Sequence, residues 1–124
     1  MTPKIAARMT EHIAALASEH GITVHWTRSQ RSGECFPEEG TVFTPRIRRP
    51  AHYYLALHEL GHCVDAGAYA LTNEAGRYAM VLCEGAAWAW AAETAKPSLL
   101  RHLRKADWDL VGYWFRSYLD LRKE

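Results

Sequence analysis

The sequence predicts an α+β domain, laid out as a helix, a small sheet and then helices toward the C-terminus. Three observations carry that prediction. Apolar residues near the start recur at helical spacing, those between positions 22 and 44 fall in short β-like runs, and beyond Pro50 the composition turns helical. A chain of 124 residues is long enough for one core and too short for two. No repeat, low-complexity tract or linker divides it, so residues 1–124 are expected to form a single domain.

Each element has its own signal. Thr2 and Pro3 have the form of an N-cap and first helical residue, Ile5, Met9, Ile13, Leu16 and Ala17 keep helical spacing, and Gly21 marks the stop. Ile22, Val24 and Trp26 alternate with Thr23, His25 and Thr27, the pattern of a half-buried strand. Arg28 to Gly40 reads as loop, with at most a poor strand around Cys35 and Phe36, and Thr41 to Thr44 is a second β candidate stopped by Pro45. A helix is expected from Ala51 to about Gly67, a turn from Ala68 to Asn73, and a long Ala-rich helix from about Glu74 to Ala95, closed by Pro97. Ser98 is a candidate cap for a short helix through Lys105. Asp107 is another, for a last helix with Val111, Trp114, Phe115 and Tyr118 on one face.

Composition excludes several classes of protein. With 48% hydrophobic and 23% charged residues the chain can fold rather than stay disordered. Fifteen Lys and Arg against fourteen Asp and Glu leave +1, which gives no general attraction to nucleic acid or anionic membrane. No apolar run approaches the roughly 18 residues of a bilayer span, and the start lacks a signal-peptide core. Cys35, Cys63 and Cys83 are too few, and odd in number, for a disulfide framework. A soluble, cytoplasmic protein without nucleic-acid or membrane partners is expected.

One motif says more than the composition. His58-Glu59-Leu60-Gly61-His62 is an HExxH sequence. On a helix, positions i and i+4 share a face, so both imidazoles can reach one ion, and His is a good ligand for Zn²⁺. Glu59 is angled toward the same place without holding a ligand position, where it can accept a proton from metal-bound water. Seven His and ten Glu would give the bare pattern by accident in roughly 3% of such chains, so context must decide. The context is an apolar stretch (Tyr53, Tyr54, Leu55, Leu57, Leu60, Val64) in which unligated histidines and a glutamate would be costly to bury.

A catalytic zinc takes a third protein ligand and leaves a fourth position open. One protease family supplies it from a glycine at the eighth and a histidine at the eleventh motif position, but here these are Asp65 and Ala68. If the two long helices form an antiparallel hairpin turning near Ala70 to Thr72, positions 58 to 62 face about 80 to 84. Glu84 lies in that window, Glu74 falls near the turn, and Glu93 overshoots. Glu84 is therefore the expected third ligand.

These residues resemble a known family. HELGH, a gap of about two dozen residues, Glu84-Gly85-Ala86-Ala87-Trp88-Ala89-Trp90-Ala91 and then Pro97 are similar to the ImmA/IrrE type of small gluzincin metallopeptidase. The likeness covers about residues 41 to 97. It implies a zincin-like fold with an active-site helix and a glutamate helix, one Zn²⁺ on His58, His62 and Glu84, and Glu59 as general base. Trp88 stands where that family has Asn, and Trp90 where it has Phe. The likeness further implies hydrolysis of a peptide or protein substrate, often one regulatory protein of a bacterium or phage, bound as an added strand on the sheet edge. Thr41 to Thr44 is the candidate edge. The alternative is a non-catalytic zinc-binding regulatory or interaction module on the same scaffold.

Other residues have weaker claims. His52, Tyr53, Tyr69 and Tyr78 are candidates for stabilising an oxyanion, and the sequence does not choose among them. Asp65 could receive a ligand histidine's second N–H. Cys63 and Cys83 read as filler between packed helices, and Cys35 as filler or a latency ligand. Arg46, Arg48, Arg49, Arg101, Arg104 and Lys105 read as solvated surface. Trp108, Trp114, Phe115 and Tyr118 are expected to pack on the glutamate helix, with a dimer face or a cover over the cleft as alternatives.

Overall fold

Thr2 opens the first helix by accepting the Ile5 N–H on its hydroxyl at 3.2 Å, and Pro3 takes the first helical position. The structure, a computed structural model, describes residues 1–29, 33–64 and 77–120, the side chains of 77–80 and 117–120 excepted. Helix α1 runs Pro3–Glu19 and buries Met9, Ile13 and Ala17. It stops where expected. Gly21 adopts φ +69°, which lets its own N–H reach the Ser18 carbonyl and the Ile22 N–H reach that of Ala17.

Three strands follow, β1 (Thr23–Thr27), β2 (Glu34–Phe36) and β3 (Thr41–Pro45), in the order β1-β3-β2. Strand β3 pairs parallel with β1, placing Val24 beside Val42, and antiparallel with β2, placing Cys35 beside the same valine. Val24, Val42 and Cys35 therefore share the inner face, while His25, Phe43 and Glu34 share the outer one. This order corrects one expectation. Thr41 to Thr44 is the central strand, paired on both sides, and among the described residues the short β2 around Cys35 and Phe36 is the outer strand beside it.

Helix α2 (Pro50–Val64) takes Pro50 into its first turn, and residues beyond Val64, with the proposed turn, lie outside the described residues. Every residue from Ala51 to His62 is buried. A helix enclosed on all sides must be central, and α1, β2, β3 and the helices of residues 77–94 and 105–120 pack on it. The core joins Met9 and Ile13 to Val42, Tyr53, Leu57, Leu60, Ala91 and Leu99.

Helix α3 (Arg77–Thr94) carries Glu84, and the short α4 (Pro97–Leu100) follows at once. Two boundaries differ from expectation. Pro97, with its fixed φ, takes the first position of α4, so Lys96 rather than Ser98 is the cap residue, and the helix ends at Leu100 instead of Lys105. Helix α5 (Lys105–Asp120) starts before Asp107, which is buried in its first turn. The Asp107 carboxylate accepts the Arg104 N–H at 3.0 Å and the Ala51 N–H at 3.3 Å, so one side chain caps both α5 and α2. The C-terminal aromatics divide between two helices: Phe115 meets Trp88 of α3, whereas Trp108 meets Tyr54 and Trp114 meets His52, both of α2. The side chain of Tyr118 lies outside the described residues. Among the described residues no helix is long and apolar enough to cross a membrane.

Candidate metal centre

Helix periodicity places Tyr54, His58 and His62 along one stripe of α2. What brings Glu84 to that stripe is a glycine. A Cβ on Gly61 would lie 3.0 Å from the Ala87 carbonyl oxygen, 3.2 Å from the Ala87 Cα and 3.4 Å from the Trp90 ring. Helices α2 and α3 thus cross backbone against backbone, and Glu84, three residues before Ala87, faces both histidines. The hairpin pairing is displaced by a few residues from the expected window, and Glu84 is still the carboxylate that arrives. Glu93 is exposed, and Glu74 lies outside the described residues.

The Oε2 atom of Glu84 lies 2.6 Å from His58 Nε2 and 3.1 Å from His62 Nε2. His58, His62 and Glu84 offer ligand atoms within 4.8 Å of one another, and they are 6%, 3% and 3% exposed. The structure therefore gathers three buried groups that could hold a metal ion. Two imidazole nitrogens and a carboxylate oxygen form a donor set suited to zinc. Tetrahedral ligands about 2.05 Å from an ion stand about 3.3 Å apart, so the two carboxylate–imidazole separations would have to open by several tenths of an ångström.

These groups also hold each other. Burial works against the charge on Glu84, but hydrogen bonds from His58 and His62 outweigh it and lower the carboxyl to about 2. Burial likewise works against a charged His58, and the carboxylates of Glu59 and Glu84 outweigh it, raising the imidazole to about 9. A metal ion must displace that proton.

Glu59, also buried, lies beside the triad with Oε1 3.4 Å from His58 Nδ1. That distance allows ion pairing, but the groups are not aligned as a hydrogen bond, and His58 Nδ1 has no hydrogen-bond partner among the described residues. The Glu59 side chain fits against the sheet because Gly33, just before the edge strand, has no Cβ. One placed there would lie 2.8 Å from Glu59 Cγ and 3.0 Å from the Phe43 carbonyl oxygen. The catalytic candidate thus sits under the end of the sheet edge.

The weaker candidates sort as follows. His52 accepts the N–H groups of Arg48 and Arg49 on Nδ1, and the Tyr53 hydroxyl is held between His12 Nδ1 at 2.7 Å and the Lys96 N–H at 3.0 Å. Both are buried structural residues. Asp65 and Tyr69 lie outside the described residues, as does the side chain of Tyr78. Cys63 packs with its thiol 3.7 Å from the Thr41 carbonyl, and burial, then the charge of Glu59, pushes that thiol up to about 11. Cys83 is more than filler: its sulfur lies 3.6 Å from His62 Nδ1, the second nitrogen of a candidate ligand. Cys35 lies in β2 and is not among the three gathered groups. Arg46, Arg48, Arg49, Arg101, Arg104 and Lys105 are exposed, with Lys105 paired to Asp109 one turn on.

Sequence reasoning missed the contact between Trp88 and His58. Its ring lies flat on the His58 imidazole, with centroids 3.8 Å apart and planes 11° from parallel. The available signal was spacing, since Trp88 follows Glu84 by one helical turn and shares its face. No family model, curated protein or solved structure matches the chain.

Proposed function

We propose that this chain is a zinc-dependent peptide hydrolase of the gluzincin type, with Zn²⁺ held by His58, His62 and Glu84. The observation that supports this most is the meeting of three buried ligand groups on two helices, with a fourth group, Glu59, beside them but outside the ligand set. When bound, zinc polarises water and brings its pKa toward neutrality. Glu59 is the proton carrier in this reading. Its carboxylate takes a proton from the attacking water and delivers it to the departing amine. An extended peptide substrate would run along the β2 side of the sheet, where Gly33 brings the start of that strand against Glu59. The residues around the triad exclude bulk water, which strengthens each electrostatic contact within.

The test is elemental analysis of purified protein with His58→Ala, Glu84→Ala and Glu59→Gln variants shown to be folded, followed by assay on peptide libraries and candidate regulatory proteins. One zinc per chain, lost in the first two variants, supports the site. Retention of zinc by E59Q with loss of hydrolysis supports the role of Glu59. Folded wild-type protein that takes up no zinc at neutral pH refutes the proposal, and zinc without hydrolysis of any substrate leaves a non-catalytic zinc module.

A further inference from the structure

A metal-binding histidine ordinarily donates its second N–H to a carboxylate, carbonyl or water, and that bond fixes the plane of its ring. His62 has the Cys83 sulfur at its second nitrogen. His58 has a looser neighbour: the Glu59 carboxylate lies 3.4 Å from its Nδ1 without hydrogen-bond alignment, and that buried nitrogen has no hydrogen-bond partner among the described residues. An aromatic surface stands in place of that bond. Trp88 covers the imidazole at 3.8 Å, nearly parallel, which is tight contact between two planar rings. The indole is itself constrained. Tyr54, one turn before His58, lies nearly parallel to it at 5.6 Å and has its hydroxyl 3.4 Å from the Trp88 carbonyl oxygen, while Phe115 of α5 meets it edge-on at 6.4 Å.

We propose that Trp88 is a positioning residue for the metal centre: its stacked ring, braced by Tyr54 and Phe115, sets the plane of the His58 imidazole so that Nε2 faces the ion. This rests on the reading of His58, His62 and Glu84 as zinc ligands. It also gives the C-terminal helix a task, since Phe115 reaches the ligand through one intervening ring. A stack restrains the ring plane without consuming Nδ1, which leaves the Glu59 carboxylate beside that nitrogen unshared by a second acceptor.

Zinc affinity, read by competition with a chromophoric chelator, tests the proposal in four variants. Trp88→Phe and Trp88→Tyr keep a flat ring. Trp88→Leu and Trp88→Met keep apolar bulk without one, and the adaptable Met side chain covers the case in which W88L does not fold. The flat variants should bind zinc within about threefold of wild type, and the non-planar ones 10–100-fold more weakly, the loss typical when a ligand's orienting partner is removed. The visible spectrum of the Co²⁺-loaded protein should change in W88L or W88M and persist in W88F. Folded W88L or W88M with wild-type zinc affinity overturns the role of Trp88 and leaves the zinc site standing. Folded wild-type protein that binds no zinc overturns both.

Discussion

Gly61→Ala tests the crossing on which the site depends. The added methyl would lie 3.0 Å from the Ala87 carbonyl oxygen and 3.2 Å from its Cα, several tenths of an ångström inside ordinary contact. Both neighbours are backbone in the middle of α3, so no side chain can swing away. Helix α2 is enclosed by α1, the sheet and the later helices, and it cannot retreat. Overpacking of this kind costs about 1–3 kcal/mol, whereas replacing a helical glycine by alanine returns about 1 kcal/mol. With neither helix free to move, the steric cost should fall in the upper half of that range, about 2–3 kcal/mol, for a net loss of about 1–2 kcal/mol. In a domain of this length that lowers Tm by about 4–8 °C. The displacement also reaches Glu84, on the same rigid helix, and a metal ligand tolerates only about 0.5 Å of error. Zinc affinity should therefore fall by about tenfold or more, the scale of effect seen when ligands are misoriented. Thermal melts of zinc-free and zinc-loaded protein, with chelator competition, measure both quantities. A G61A protein as stable as wild type and with the same zinc affinity would show that the close crossing does not position Glu84.

Other expectations follow from single contacts. Gly33→Ala puts a methyl 2.8 Å from Glu59 Cγ and 3.0 Å from the Phe43 carbonyl oxygen, so it should displace Glu59, leaving zinc stoichiometry intact while peptide hydrolysis falls; unchanged turnover refutes this. Asp107→Ala leaves the Ala51 and Arg104 N–H groups without their acceptor and should cost about 1–3 kcal/mol in chemical denaturation, with Asp107→Asn milder. In zinc-free protein, Glu84, lowered to about 2 from 4.5, contributes stability above pH 4.5 that is lost as pH falls toward 2. His58, raised to about 9 from 6.5, contributes stability below pH 6.5 that is lost as pH rises toward 9. The melting temperature of chelator-treated protein should then be highest between pH 4.5 and 6.5, and Glu84→Gln should flatten both limbs; a wild-type profile no steeper than that of E84Q refutes the coupling.

Much of the site was legible because it rests on local periodicity. The i and i+4 spacing of His58 and His62 specifies a shared helix face whatever the rest of the chain does, and the apolar surroundings of the motif predicted its burial. Glu84 was reachable from the expected antiparallel pairing of the two long helices, although the observed pairing is displaced by a few residues. The sheet order was not legible. Alternation shows which side of a strand faces inward, but Val42 is flanked on both sides by partners, Val24 and Cys35, chosen by long-range closure rather than by its neighbours in sequence. The shortness of β2 hid it further, since a three-residue strand in a polar loop carries almost no periodic signal. Boundaries near Pro97 and Asp107 failed for another reason. Pro97 can begin a helix as well as end one, and the Asp107 carboxylate caps from inside the first turn.

On the proposed reading, the contacts around His58 tie the C-terminal helix to the metal centre. Metal ligands must be held in place before the ion arrives, because any freedom they keep is lost on binding. Helix α2 meets that requirement through burial along its whole ligand-bearing stretch, but burial fixes the position of a Cα more firmly than the plane of a ring. Ring planes need partners. At His62 the partner is a sulfur one residue from Glu84, and at His58 it is the indole of Trp88 one turn after Glu84. Helix α3 thus brings three side chains to one place: the candidate third ligand and, on the proposed reading, a restraint on each of the two histidines. The close approach at Gly61 is what lets these three side chains reach across, so the glycine within HELGH and the residues around Glu84 work as one unit. Helix α5, through Phe115 on Trp88 and Trp108 on Tyr54, closes the far side of that unit.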